Sequence, residues 1–157
     1  MSNVRRLKMS DNWLRYVSTD PHFRPVPSSI AAAEKLLRSF APHAESVRSE
    51  LHESVIFIHP GANWSGVACS ACGVDAEPWW EEAMSSAAET RFVSLNTVAP
   101  CCGATVSLNE LRYGWPAAFS SFVLEAMNPN IKGLSQHQVE QLSTTLGSTV
   151  REVPVHL

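Results

Sequence analysis

Charge is scarce in this chain. Only 17% of its residues are Asp, Glu, Lys or Arg, and the formal net charge is −3. So mild a deficit creates no broad field for gripping phosphates, which counts against a nucleic-acid binder that works by surface charge. Long apolar runs are missing as well. No stretch approaches the ~18 residues a membrane helix needs. Arg5, Arg6 and Lys8 cluster with Arg15 near the start. With no apolar segment behind them they read as a solvated terminus, not a secretion signal. Cysteine is sparse, at four residues. In the reducing cytoplasm that these readings imply, four thiols suit metal ligation better than two disulfides. A Gly-rich phosphate loop, a Gly-x-Ser-x-Gly elbow and a His-Glu-x-x-His pair are all absent.

What is present suits a globular domain. The chain has 157 residues, 45% of them hydrophobic, enough to bury a core without covalent staples. Trp13 to Ser18 reads as a strand closed by Asp20 and Pro21. Ser28 or Ser29 is placed to cap a helix with Ile30, Ala33, Leu36, Leu37 and Phe40 on one face, stopped by Pro42. Val47 to His52 and Ser54 to Ile58 read as two strands joined by a tight hairpin near Glu53. Pro78 opens a helix that runs to about Glu89, and Phe92 to Val98 and Val106 to Leu108 read as strands. The spacing of Phe119, Phe122, Val123 and Ala126 predicts a helix opened by Pro116. Ser135 and Gln138 form a capping box, Leu134 and Val139 a hydrophobic staple, and Gly147 suits the end of that helix. Thr149 to Val155 is a closing strand.

The helix-then-strand unit at 29–51 echoes the one at 135–155. The expectation is therefore a single α+β domain over 1–157, one sheet with helices packed on it in a split β-α-β-like layout. A zinc-ribbon-like insertion is expected at 59–110.

Chemistry concentrates in that insertion. Cys69-Ser70-Ala71-Cys72-Gly73 is a zinc knuckle, a turn that aims two sulfurs inward with Gly73 supplying the unusual dihedral. Pro100-Cys101-Cys102-Gly103 is a second half-site with a departure. A regular knuckle would place its first cysteine at position 99, where Ala99 stands, and Cys101 is adjacent to Cys102 instead. The expected site is one structural Zn²⁺ on Cys69, Cys72, Cys102 and Cys101. His59, His52 or a water is the alternative fourth ligand if Cys101 does not reach. A thioredoxin-like use fits less well, because the helix after Cys72 begins six residues on, near Pro78. His43-Ala44-Glu45 followed by Cys69-x-x-Cys72 superficially matches the zinc-deaminase pattern, with Glu45 as proton shuttle. Residue 68, however, is Ala where that pattern has Pro, and the second cysteine pair is left without a role.

Trp64, Trp79, Trp80 and Trp115 are candidates for a binding surface, weighed against simple core packing. Asp20-Pro21-His22-Phe23-x-Pro25, Phe57-Ile58-x-Pro60-Gly61-x-Asn63-Trp64, the Cys-x-x-Cys-Gly step, Trp79-Trp80, Pro100-Cys101-Cys102-Gly103, Ser107-Leu108-Asn109 and Tyr113-x-Trp115-Pro116 follow one another in order. Together they resemble a family of small uncharacterised bacterial proteins. That resemblance implies a bacterial cytoplasmic protein whose cysteines act together, and it implies no activity. The functional expectation is a non-enzymatic zinc protein that binds another protein, of the kind an immunity or antitoxin-like inhibitor would be. A zinc-dependent enzyme with a carboxylate such as Glu45 or Glu81, or a zinc-ribbon nucleic-acid reader, is the alternative.

Overall fold

The computed structural model describes residues 10–157, so the basic cluster at Arg5, Arg6 and Lys8 lies outside the described residues. In chain order the elements are β1 (Asn12–Ser18), α1 (Pro27–Phe40), β2 (Ser46–Ile58), β3 (Val67–Ala68), α2 (Glu77–Glu89), β4 (Asn96–Val98), β5 (Thr105–Ser107), a 3₁₀ turn (Leu108–Glu110), β6 (Arg112–Tyr113), β7 (Ala118–Met127), α3 (Gln136–Leu146) and β8 (Val150–His156).

Four strands form the main sheet in the order β2-β7-β1-β8, with every neighbouring pair antiparallel. β1 and β2 are therefore parallel and split by β7, while β7 and β8 are parallel and split by β1. With α1 linking one pair and α3 the other, this is the β-α-β-β-α-β, split β-α-β layout. Leu14, Tyr16, Phe122, Leu124 and Ala126 from the sheet pack with Ala33 and Leu37 of α1 and Leu142 and Leu146 of α3, so both helices cover one face. On the other face Glu125 is buried and held by the guanidiniums of Arg15 (3.1 Å) and Arg48 (2.8 Å), which also lie over the ring of Trp13.

The largest departure from the sequence reading is at 118–127, which is the central strand β7 and not a helix. All but its last residue are buried, because it sits between β1 and β2 with both faces covered. A strand buried on both sides carries no polar alternation, so chance spacing of Phe119, Phe122, Val123 and Ala126 imitates a helical stripe. The expected hairpin at Glu53 is also replaced. Residues 46–58 form one long strand whose register against β7 shifts between Leu51 and Ile56, a bulge and not a turn. α1 starts one residue before the predicted caps. Val26 is its N-cap with no side-chain cap bond, and Pro27 occupies the first turn, where a missing N–H costs nothing. Phe92 to Val98 yields only the short β4, because Arg91 and Phe92 both adopt positive φ after α2. The capping box of α3 forms as expected: Ser135 Oγ accepts from the Gln138 N–H and Gln138 Oε1 from the Ser135 N–H, with Gly147 left-handed at the far end.

The expected insertion falls within the stretch between β2 and β7, residues 59–117, which lies outside the main sheet. Its two small sheets pair β3 with β6 and β4 with β5. Its core (Val67, Cys69, Ala76, Ala87, Leu95, Ala99, Val106, Leu108 and Leu111) is continuous with the main sheet through Val55 and Phe119. Asn109 stitches the two parts together. Its Oδ1 accepts the Phe119 N–H at 3.1 Å, and its Nδ2 donates to the Thr19 carbonyl at 3.3 Å. Among the described residues no helix is long and apolar enough to cross a membrane.

Candidate metal centre

Both cysteine turns are built by the same backbone bonds. In the first, the Cys69 N–H donates to the Val74 carbonyl at 2.8 Å and the Gly73 N–H to the Cys69 carbonyl at 2.9 Å. In the second, the Ala99 N–H donates to the Ala104 carbonyl at 2.8 Å and the Gly103 N–H to the Ala99 carbonyl at 2.7 Å. Gly73 and Gly103 close them with φ of 78° and 77°, a region L side chains avoid. Position by position, Ala99 matches Cys69 and Cys102 matches Cys72. Ala99 is as fully buried as Cys69. The second turn is thus a regular knuckle with alanine at its first ligand position. Cys101, which matches Ala71, supplies the sulfur from a neighbouring place on the turn.

The four sulfurs converge. Cys72 and Cys101 Sγ are 3.4 Å apart, Cys69 and Cys102 Sγ 3.9 Å, and all four lie within 4.8 Å of one another. A tetrahedral ion with Zn–S bonds of about 2.3 Å separates its sulfurs by about 3.8 Å. The cluster therefore fits a four-thiolate site with only small adjustment. Cys69 is buried, while Cys72, Cys101 and Cys102 are exposed. The Cys72 and Ala71 N–H groups point at Cys69 and outweigh its desolvation, drawing that thiol down to about 6. Cys101 has no such donor. Desolvation within the sulfur cluster, then the neighbouring Cys72 and Cys69 sulfurs, push it up to about 12. The Ala104 N–H pulls Cys102 down, but desolvation and the sulfurs of Cys69 and Cys72 leave it above its ordinary value. Four thiols that crowd one another in this way favour a cation at their centre, which would deprotonate all of them together.

Among the described residues the metal-capable group contains these four cysteines alone. His59 is engaged elsewhere: its Nδ1 accepts the Gly61 N–H at 2.9 Å and its ring stacks on Trp64. His52 Nε2 sits 3.3 Å from Glu50. His43 and Glu45, the residues of the deaminase-like pattern, are not brought to the cysteines. The Glu45 N–H bonds the carbonyl of Met127 at the far end of β7. The insertion core meets β7 at Phe119, roughly 26 Å away along a strand rising about 3.3 Å per residue. Glu81 is an exposed residue of α2 and belongs to no such group.

The four tryptophans do not form one surface. Trp64 and Trp80 are adjacent, with ring centres 4.9 Å apart, in a half-buried cluster with Phe57, Tyr113 and the exposed His59. Trp80 Nε1 donates to Tyr113 Oη at 3.2 Å, which in turn donates to the Leu108 carbonyl at 2.7 Å. Trp79 packs into the insertion core, its indole N–H buried without a partner among the described residues. Trp115 lies against β8, donating to the Pro154 carbonyl at 2.9 Å and lining a cavity of about 870 Å³ at that edge of the sheet. Sequence reasoning missed Asn109 as the residue joining the insertion to the sheet. The sequence carried it only as the last residue of the Ser107-Leu108-Asn109 motif, which says nothing of what its amide would bond. Comparison with protein-family models, with curated proteins and with solved structures finds no match to this chain.

Proposed function

We propose that Cys69, Cys72, Cys101 and Cys102 hold one structural Zn²⁺, and that the protein is a non-enzymatic module that uses the insertion so stiffened to bind another protein. One observation carries the first half: among the described residues four sulfurs, and no other ligand type, converge at spacings close to those of a tetrahedral site. A site closed by four thiolates has no position left for a reacting water, whereas catalytic zinc keeps one open. The second half is supported by an aromatic cluster on the same insertion. His59, Trp64 and Trp80 present a rigid aromatic step on the insertion, held by Tyr113 and by the Trp64 indole donating to Glu77 at 3.2 Å. Rigid aromatics of this kind anchor protein interfaces at low entropic cost. The mild acidity suits a basic partner, as an immunity or antitoxin-like inhibitor would meet.

Elemental analysis of the purified protein should give one zinc per chain, and X-ray absorption should give four sulfurs at about 2.3 Å. A nitrogen or oxygen in the first shell removes the closed site and with it the non-enzymatic reading. Tagged purification from the native host should recover a stoichiometric partner that a Trp64→Ala variant no longer holds. Recovery of the wild-type protein alone, repeatedly, counts against a binding module.

A further inference from the structure

Three local irregularities meet at one small cavity away from the cysteines. The first is the bulge in β2. Leu51 pairs with Phe122 and Ile56 with Ser120, so residues 52–55 stand out of the ladder opposite Ser121. Freed from β2, the Ser121 N–H donates instead to the Pro21 carbonyl at 3.0 Å, and Ser121 Oγ to the Phe23 carbonyl at 3.3 Å. This lays the second irregularity, the Asp20-Pro21-His22-Phe23-x-Pro25 segment, across the bulge. Arg24 holds it there from the other side, its guanidinium donating to the His52 carbonyl at 2.7 Å. The third is the turn after α2, where Arg91 and Phe92 are consecutive non-glycine residues at φ of 56° and 57°. Such backbone carries strain and persists only where packing holds it; here Phe92 is anchored against Phe119, 5.3 Å away. Bulges and strained residues recur where side chains must be re-aimed toward a ligand.

The cavity they enclose is about 310 Å³, lined by His22, Arg24, Ser54, Arg91 and Ser121 together with Glu53 and two valines. Two arginines, a histidine and two serines line one space. Neither Arg24 nor Arg91 has a carboxylate partner among the described residues, although Glu53 lines the same wall. Guanidinium forks without a carboxylate partner, Arg24 spending one N–H on the His52 carbonyl, match the acceptor geometry of an oxyanion. The size lies at the small end of ligand pockets. His22 and Val93 continue the wall into a second cleft of about 460 Å³ carrying Asp20, Asn96, Ser107 and Glu110. That cleft would take hydroxyl or amino groups on the rest of a small solute.

We infer that the cavity between the β2 bulge, the 20–25 segment and the Arg91 turn is a binding site for the phosphoryl or carboxylate group of a small polar solute. Arg24 and Arg91 hold the anion and Ser54 supplies a hydroxyl donor, while Ser121, whose hydroxyl is bonded to the Phe23 carbonyl, keeps the 20–25 segment in place as the wall. The site is independent of the metal and of the aromatic step, so its failure would leave the proposed function standing.

The test is amide chemical-shift titration of the full-length, metal-loaded chain with inorganic phosphate and, separately, acetate, with ionic strength held constant by sodium chloride. The Arg91 side chain is exposed, so Arg91→Gln should leave the rest of the spectrum in place; Arg24→Gln also removes the bond to the His52 carbonyl, so its shifts are read against its own ligand-free spectrum. Saturable shifts confined to Ser54, Ser121 and Arg91 are expected. The apparent Kd should weaken at least tenfold in Arg91→Gln and remain unchanged in Lys132→Gln, which lies on the other cavity. Saturation by phosphate alone assigns a phosphoryl ligand; saturation by both probes assigns a general oxyanion site that includes carboxylates. Shifts that stay linear in concentration, or that survive both arginine substitutions, overturn the inference.

Discussion

If Ala99 occupies the first ligand position of a regular knuckle, moving the sulfur two residues back should restore a site that its removal destroys. Cys101→Ala takes away one thiolate and leaves three. A metal there would join turns whose facing cysteines, 72 and 101, are 29 residues apart. Treating the ion as a cross-link, the loop-closure entropy for that span is about 3.6 kcal/mol at 25 °C. Complete loss of metal should cost about that much, which for a chain of this size lowers Tm by about 7–14 °C. The double variant Ala99→Cys with Cys101→Ala should recover most of it. Ala99 has the same backbone bonds and the same full burial as Cys69, and so the same aim for its Cβ. The assay is zinc per chain with competition against a chromogenic chelator, read beside thermal unfolding. If the double variant holds zinc no better than Cys101→Ala alone, the equivalence of the two turns is wrong.

Three further outcomes follow from the same geometry. Chelation should raise hydrogen exchange across residues 66–115 while β1, β7, β8, α1 and α3 keep their protection; uniform loss, or none, would contradict a clamp confined to the insertion. Phe119→Ala, at a fully buried ring 4.9 Å from Phe57 and 5.3 Å from Phe92, should cost about 3–5 kcal/mol in denaturant melts. The chain has two tyrosines, and both are held in the phenol form: desolvation comes first for each, with Glu152 adding to it at Tyr16, and Tyr113 is pushed up to about 12. A folded pKa above the unfolded one gives stability that is complete below about pH 10 and lost as pH rises toward 12. Absorbance at 295 nm should therefore stay flat through pH 10 and rise together with unfolding; a separate tyrosine titration near pH 10 in the folded state would refute the burial argument.

How much of this was legible beforehand depended on where the governing interactions lie. The α3 capping box and the Pro78 helix start were readable because their determinants sit within four residues of one another. So was β1, whose burial follows its own composition. The sheet layout was legible only as an echo between 29–51 and 135–155. β7 was misread because its conformation is set by β1 and β2, about 110 and 70 residues away in the chain, and not by any local period. The β2 bulge was invisible for the same reason, since a register shift is a property of two strands. At the metal centre the ligand types were plain, but the choice between Cys101 and a histidine was not. Adjacent cysteines reach one ion only if the turn is bent, and that bend comes from bonds to Ala104 across the hairpin.

The insertion also shows what a metal at the cysteines would add. Its regular hydrogen bonding amounts to one helix and two paired sheets of two or three residues per strand. Two-stranded sheets of that size are marginal in water on their own. The fully buried Cys69 and Ala99 sit in the insertion's apolar core, while the other three cysteines face outward at its rim. An ion at that boundary would join the β3 and β4–β5 turns where side-chain packing gives out. Phe119 and Asn109 would carry the resulting rigidity into β7, which pairs with both β1 and β2. A bound ion would therefore add to the hold that the main sheet already has on the insertion through Phe119 and Asn109.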